Sequence, residues 1–255
     1  MKRVYLGNKE LTTIATVTNG GGGGGDDTQK LVDYLNGTLT EFTIPEGVTK
    51  IRDYAFDGCK QLTAITIPNS VTNIGSHTFD SCSSLTGLTI PNSVISIGDY
   101  GLAACNSITS ITIPDSVSSI GKSCFESSSG LKSIRLGNGI KSIPRGAFKR
   151  CSKLESIDIH DSVTSIGENS FEDCSSLSSV TIGNSVTDIG MFAFAECSSL
   201  SSVTIKNSDS KIENQGIFFD ISSSAKLYVP SNLLADYQAD SNWTSAFKGG
   251  IYAIQ

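Results

Sequence analysis

Seven cysteines, two histidines, a run of six glycines and one block of alternating charge are the features of this 255-residue sequence whose types and spacing raise a question of chemistry. Thiols can pair, bind zinc or attack a carbon, but zinc needs closely spaced ligands, and no CxxC or CxH pattern occurs. Cys59, Cys82, Cys105, Cys151, Cys174 and Cys197 fall in one 23-residue register, and Cys124 lies just outside it, where Ser128 takes the register position. Small thiols in such a column behave as buried hydrophobes, so free core cysteines are expected, with no metal and no cofactor. His77 and His160 lie in no nucleophile motif, and G-x-S-x-G, HExxH and Walker sequences are absent. The glycine run, Gly20 to Gly25, contains GxGxxG trivially; without a following Lys-Ser/Thr it reads as a linker. No catalytic residue is identified, and the expectation is that the chain is not an enzyme.

The charge block is sharper. Residues 131–153 carry Lys132, Arg135, Lys141, Arg145, Lys149, Arg150 and Lys153 with no acid, and residues 154–176 carry Glu155, Asp158, Asp161, Glu168, Glu172 and Asp173 with no base. A shift of 23 places Lys132 on Glu155, Arg135 on Asp158, Arg145 on Glu168, Lys149 on Glu172 and Arg150 on Asp173. Equivalent side chains on strands ~4.8 Å apart can touch, at ~0.2 to 1 kcal/mol per opposite pair. One reading is a seam that sets the register between like turns; the other is a binding patch with a residual field.

The elements that position these residues follow from the same period. Leu39, Leu62, Leu85, Ile108, Leu131, Leu154, Leu177 and Leu200 stand 23 apart without insertion. With each as position 1, position 4 reads Phe42, Ile65, Leu88, Ile111, Ile134, Ile157, Val180, Val203, and position 6 is Ile or Leu in every repeat. That is a short strand with one buried face. Valine or isoleucine at position 10, isoleucine at 13 and mostly phenylalanine at 18 complete the inward set. Burying seven such side chains at ~1.5 to 3 kcal/mol each barely matches ~1 to 2 kcal/mol per residue of backbone entropy, so one repeat cannot fold alone. Stacking covers the open ends. Position 5, facing outward, reads Thr43, Thr66, Thr89, Thr112, Arg135, Asp158, Thr181, Thr204. It is either an ordinary solvent face of β-branched residues or a polar adhesion strip.

Units such as LTAITIPNSVTNIGSHTFDSCSS, residues 62–84, resemble the BspA-type leucine-rich repeats of surface proteins from gut and oral bacteria and some protists. The resemblance covers about residues 39–222. It implies an α/β repeat fold, a leucine-rich-repeat solenoid with a parallel β-sheet and short helical turns, and a role in adhesion or binding; it names no ligand. The opening MKRVYLGN and the segment LVDYLNGTLTEFTIPEGVTKIRDYAF resemble the starts of repeat proteins among phage structural proteins.

Four segments are expected. Residues 1–17 read as an anchoring hairpin, with strands at 4–6 and 11–17 about Gly7-Asn8; residues 18–27 form a glycine-rich linker; residues 28–222 hold a helical N-cap through Leu31, Tyr34 and Leu35 and then eight repeats; residues 223–255 form an α/β C-cap with a strand at 226–229, a helix from 231 to about 240, and Trp243. A net charge of −6 argues against nucleic acid, and no apolar run approaches the ~20 residues of a membrane span. No secretion leader precedes the hairpin, since the stretch after Lys2 and Arg3 is broken by polar residues. The leading expectation is a virion-associated display protein, made in the host cytoplasm and anchored to a larger assembly through residues 1–17. Its solenoid would bind a protein or glycan and could form a homo-oligomer. The alternative is a bacterial cell-surface adhesin whose leader has been removed. A glycan-acting enzyme, the remaining class, requires a pocket with convergent titratable groups.

Overall fold

The computed structural model describes residues 37–254 and the backbone of two short strands, Tyr5–Leu6 and Lys9–Glu10. The expected N-cap helix, the glycine linker and the hairpin strand over 11–17 lie outside the described residues. Tyr5 faces Glu10 and Leu6 faces Lys9 in antiparallel register, and Leu6 also pairs with Ile51, so the opening strand runs against the first turn of the solenoid.

From residue 39 the chain winds as a parallel β-solenoid, one turn per 23 residues. The first face is built from position 3 onward, with strands such as Ser110–Thr112, Ser133–Arg135, Ser156–Ile159, Ser179–Ile182 and Ser202–Ile205. Partners are 23 apart, as in Val180 with Val203 and Ile182 with Ile205. The alternation is that of a half-buried strand: in Ser156–Ile159, Ile157 and Ile159 are buried while Ser156 and Asp158 are exposed. Turn three carries no strand here, only a bridge from Ala64 to Gly87. Glycine has no side chain to pack in a pleat, and Gly87 followed by Leu88 weakens the strand where other turns place alanine, serine or glutamate before a β-branched residue or phenylalanine.

The second face is a ladder of two-residue strands at positions 12 and 13, from Lys50–Ile51 to Asp188–Ile189. Position 14 is glycine in most turns because the backbone of the preceding turn lies against it. A Cβ on Gly98 would meet Ser76 N at 2.5 Å and one on Gly190 would meet Glu168 N at 2.5 Å. The N–H of this glycine donates to the preceding turn, as from Gly98 to Ile74 O at 2.9 Å and from Gly167 to Ile143 O at 2.7 Å. Pro144 has no such donor, and the ladder breaks there: Ser119–Ile120 and Ser142–Ile143 are unpaired.

A third ladder runs unbroken. The N–H groups of positions 16, 18 and 20 donate to the next turn, from Tyr54, Phe56 and Gly58 to Ser76, Thr78 and Asp80 O at 2.9, 2.8 and 2.7 Å, and on to Phe192 and Gly216 O at 3.3 Å. Positions 16 and 20 hold positive φ, as at His77 (51°), Ser81 (59°) and Ala104 (51°). This conformation replaces the expected short helical turns with non-helical ones, since positive φ cannot continue a right-handed helix.

Phenylalanines fill the centre. Phe125, Phe148, Phe171, Phe194 and Phe218 stack with centroids 4.9 to 5.2 Å apart. Beside them runs the cysteine column, whose thiols donate to the position-18 carbonyl of the preceding turn: Cys82 to Phe56 O and Cys151 to Phe125 O, both at 3.1 Å. Ser128 keeps that bond with its hydroxyl, to Leu102 O at 2.8 Å. Burial pushes the Cys105, Cys151 and Cys197 thiols up to about 12, and Cys82, Cys124 and Cys174 also rise well above the usual thiol range for the same reason. All seven cysteines are buried and in the thiol form. The native protein is therefore expected to label very slowly with a thiol-reactive dye, and the denatured, unreduced protein to show seven thiols. A disulfide found by mass mapping would overturn this.

Beyond turn eight, Lys226–Val229 pairs with Ser202–Ile205, and Ile251–Ala253 pairs with Lys226–Val229. Between these strands lie the helices Leu234–Ala239 and Ser241–Ala246, the second capped by the Asp240 carboxylate, which accepts from Asn242 N. Lys211 Nζ donates to Asp240 Oδ2 at 2.6 Å, holding the lysine above its ordinary pKa range and the aspartate below its own.

Candidate binding face

The position-5 side chains lie on the outward side of the first face because inward positions 4 and 6 hold the core. Thr43, Thr66, Thr89, Thr112, Arg135 and Asp158 are exposed, and Thr181 and Thr204 are half-buried. Register carries the row further: Thr204 pairs with Tyr228, and Tyr228 with Tyr252. Those two rings sit 5.8 Å apart, with Lys226 Nζ 5.9 Å from the centroid of the Tyr252 ring. The tyrosines escape a search at 23 residues because the last two steps are 24 residues long. Beside the row, around turns three to five, is a groove of about 760 Å³ lined by Leu88, Ile111 and Ile134, with Asn92, Asp115 and Arg135 also on its wall.

Of the five pairs expected from the charge block, two come together. Lys149 Nζ lies 2.8 Å from Glu172 Oε2, both largely shielded, and Arg145 Nε lies 3.5 Å from Glu168 Oε2 on the surface. Lys132 with Glu155, and Arg150 with Asp173, are not ion pairs. Arg135 turns away from Asp158 to Asp115, at 3.4 Å. The Asp115 carboxylate is held in place by the Asn138 N–H at 2.9 Å, so it offers a fixed acceptor on the other side of Arg135. Asp158 forms no ion pair among the described residues.

A second exposed feature was not anticipated: Tyr54, His77 and Tyr100, all at position 16, stack with centroids 4.7 Å apart and planes within 7° and 12°. Each has positive φ, and Asp80 Oδ2 lies 2.9 Å from His77 Nδ1. The signal was three aromatic residues 23 apart at a position outside the hydrophobic pattern. His160 is held by backbone alone: its Nδ1 accepts from Ser162 N at 3.3 Å, which leaves Nε2 to donate to Gly137 O at 3.0 Å. Among the described residues no three histidine, cysteine, aspartate or glutamate side chains converge as metal ligands, and no helix is long and apolar enough to cross a membrane.

Comparison with known proteins places this geometry. The model of the BspA-type leucine-rich repeat region matches residues 33–155 and 141–239, with six copies. The chain is similar to a leucine-rich cell surface protein from Faecalibacterium prausnitzii at 27% identity and a TM-score of 0.50, over 71% of this chain and 62% of that one. It therefore spans less than two thirds of that protein. It is also similar to the leucine-rich repeat protein of T. pallidum, at 30% identity and a TM-score of 0.60, over 63% of this chain and 77% of that one. No curated protein matches it in sequence.

Proposed function

Because the chain belongs to the BspA-type leucine-rich repeat family, we propose that it is a non-enzymatic binding protein of a bacterial cell surface, holding a protein or glycan ligand on the outward side of its first face. The observation that carries this reading is the position-5 row, a continuous outward strip of hydroxyl, charged and finally aromatic side chains on a rigid sheet. Arrays of this kind use such extended surfaces for recognition. The groove adds an apolar floor with an ion pair beside it, and neither histidine is arranged as a catalytic base. The Faecalibacterium relative, a cell surface protein, favours the cell envelope over the virion as the assembly. The opening strand, paired to Ile51 of its own chain, adds nothing to the case for an anchor on another assembly.

The test is binding of the fluorescently labelled chain to intact bacterial and animal cells by flow cytometry. The triple variant Thr89→Glu, Thr112→Glu, Thr181→Glu is expected to lose at least about ten-fold in apparent affinity, the effect of ~1.4 kcal/mol, while Thr187→Glu on another face binds as the parent does. Unchanged binding by the triple variant would remove the strand face from the function.

A further inference from the structure

We propose that the ligand of the strand face is a second copy of this chain, docked face to face and antiparallel; the proposal rests on the reading that this face is the binding surface. The two-fold axis runs parallel to the strands, between the two faces and midway between turns five and six. Such an axis opposes turn five of one copy to turn six of the other while keeping each strand position opposite its own equivalent, the isologous arrangement of a closed dimer.

The order of side chains selects that axis. In register, the position-5 row reads Thr43, Thr66, Thr89, Thr112, Arg135, Asp158, Thr181, Thr204, Tyr228, Tyr252, and its midpoint falls between its single base and its single acid. Rotation about the midpoint sets Arg135 of each copy against Asp158 of the other. Position 2 repeats the arrangement: Thr40, Thr63, Thr86 and Thr109 precede Lys132 and Glu155, and Ser178 and Ser201 follow. The same axis sets Lys132 against Glu155, giving four ion pairs across one interface.

The single chain leaves these groups available. Lys132, Glu155 and Asp158 are exposed and form no ion pair among the described residues, and the Arg135 to Asp115 contact is 3.4 Å with both side chains 59% exposed. Between the charged turns the facing residues are small: Ser110, Ser133, Ser156 and Ser179 at position 3 flank the threonines, so two faces can approach closely. Strands ~4.8 Å apart over this row, each ~13 Å long, make a face of about 600 Å² per copy, at the low end for a specific interface. A reversible, salt-sensitive dimer is the consequence.

Sedimentation of the full chain tests this. A dimer is expected at low ionic strength, dissociating as salt is raised. Arg135→Asp and Asp158→Arg, each of which sets like charges across the axis, are each expected to be monomeric with unchanged melting. Mixed together, the two variants are expected to form a heterodimer, because the two acids of the first then face the two bases of the second. The double variant is expected to dimerise with itself. A chain that stays monomeric at low salt, variants that still dimerise, or a mixture that does not associate would each overturn the proposal. A monomeric chain whose binding to cells is still lost in the strand-face triple variant ends this inference alone; cell binding indifferent to that variant ends the strand-face reading itself.

Discussion

Phe148→Ala is expected to destabilise the solenoid by about 3 to 5 kcal/mol and to split its unfolding into two transitions. Phe148 is fully buried, with Phe125 at 5.2 Å and Phe171 at 5.1 Å on its two faces, and its carbonyl accepts the Cys174 thiol at 3.2 Å. In a quasi-one-dimensional array each turn is stabilised only by its neighbours, so distant packing cannot close the cavity. The position of the loss matters as much as its size. Turns four and five already lack the second-face ladder because of Pro144, so a cavity in turn five weakens the least connected junction of the stack. Trp243 is the single tryptophan and lies at the C-terminal end, so its fluorescence reports that end while far-UV circular dichroism reports all turns. In urea the two signals should coincide for the parent and separate for Phe148→Ala. Phe148→Leu, which copies Leu102 of turn three, should cost under about 1.5 kcal/mol. Coincident signals in the alanine variant would show that the halves remain one cooperative unit.

The repeat made the register legible, because a constant 23-residue step without insertions leaves one way to align inward residues, and partners such as Val180 and Val203 follow it. Both ladder breaks were also present as residues, Gly87 and Pro144, but a breaker's consequence depends on which bond the next turn needs from it. The positive-φ turns were hidden for a different reason. Tyr, His, Ala and Arg at positions 16 and 20 carry no local preference for that conformation; hydrogen bonds to the following turn impose it, and these are tertiary. Tertiary context overrides propensity there.

The candidate face was legible as far as the step stayed constant. Thr43 to Thr204 were found by counting, whereas Tyr228 and Tyr252 needed the observed register. The charge block shows the other limit of counting. A 23-residue step brings backbones side by side, but it does not decide which way a long side chain turns. Lys149 meets Glu172 because both are partly shielded and short of alternatives, while exposed Arg135 finds a carboxylate already fixed by Asn138.

Trp243→Ala is expected to cost about 4 kcal/mol or more and to make the protein associate through its exposed sheet edge. The last full turn has no following turn to receive its backbone groups, and side chains of the terminal segment replace one. Trp243 Nε1 donates to Ile212 O at 3.0 Å, and Ile212 N donates to the Tyr237 hydroxyl at 3.1 Å. The indole is fully buried and, with Phe247, covers Phe218, the end of the phenylalanine stack. Alanine would therefore open a cavity worth about 3 to 5 kcal/mol and orphan a buried carbonyl worth about 1 to 3 kcal/mol, less whatever relaxation recovers. Phenylalanine at 243 separates the two effects, since it keeps most of the packing and loses only the donor. Loosening of this segment also frees Ser202–Ile205 from Lys226–Val229, leaving an unpaired parallel edge of the kind that templates aggregation. It would carry Tyr228 and Tyr252 away from the outward row, so the strand face would shorten at its aromatic end. Urea denaturation followed by circular dichroism, with light scattering during refolding, measures both consequences. A Trp243→Ala protein within about 1 kcal/mol of the parent would mean that the stack closes on Phe218 without the terminal segment, contrary to the account given for its last turn.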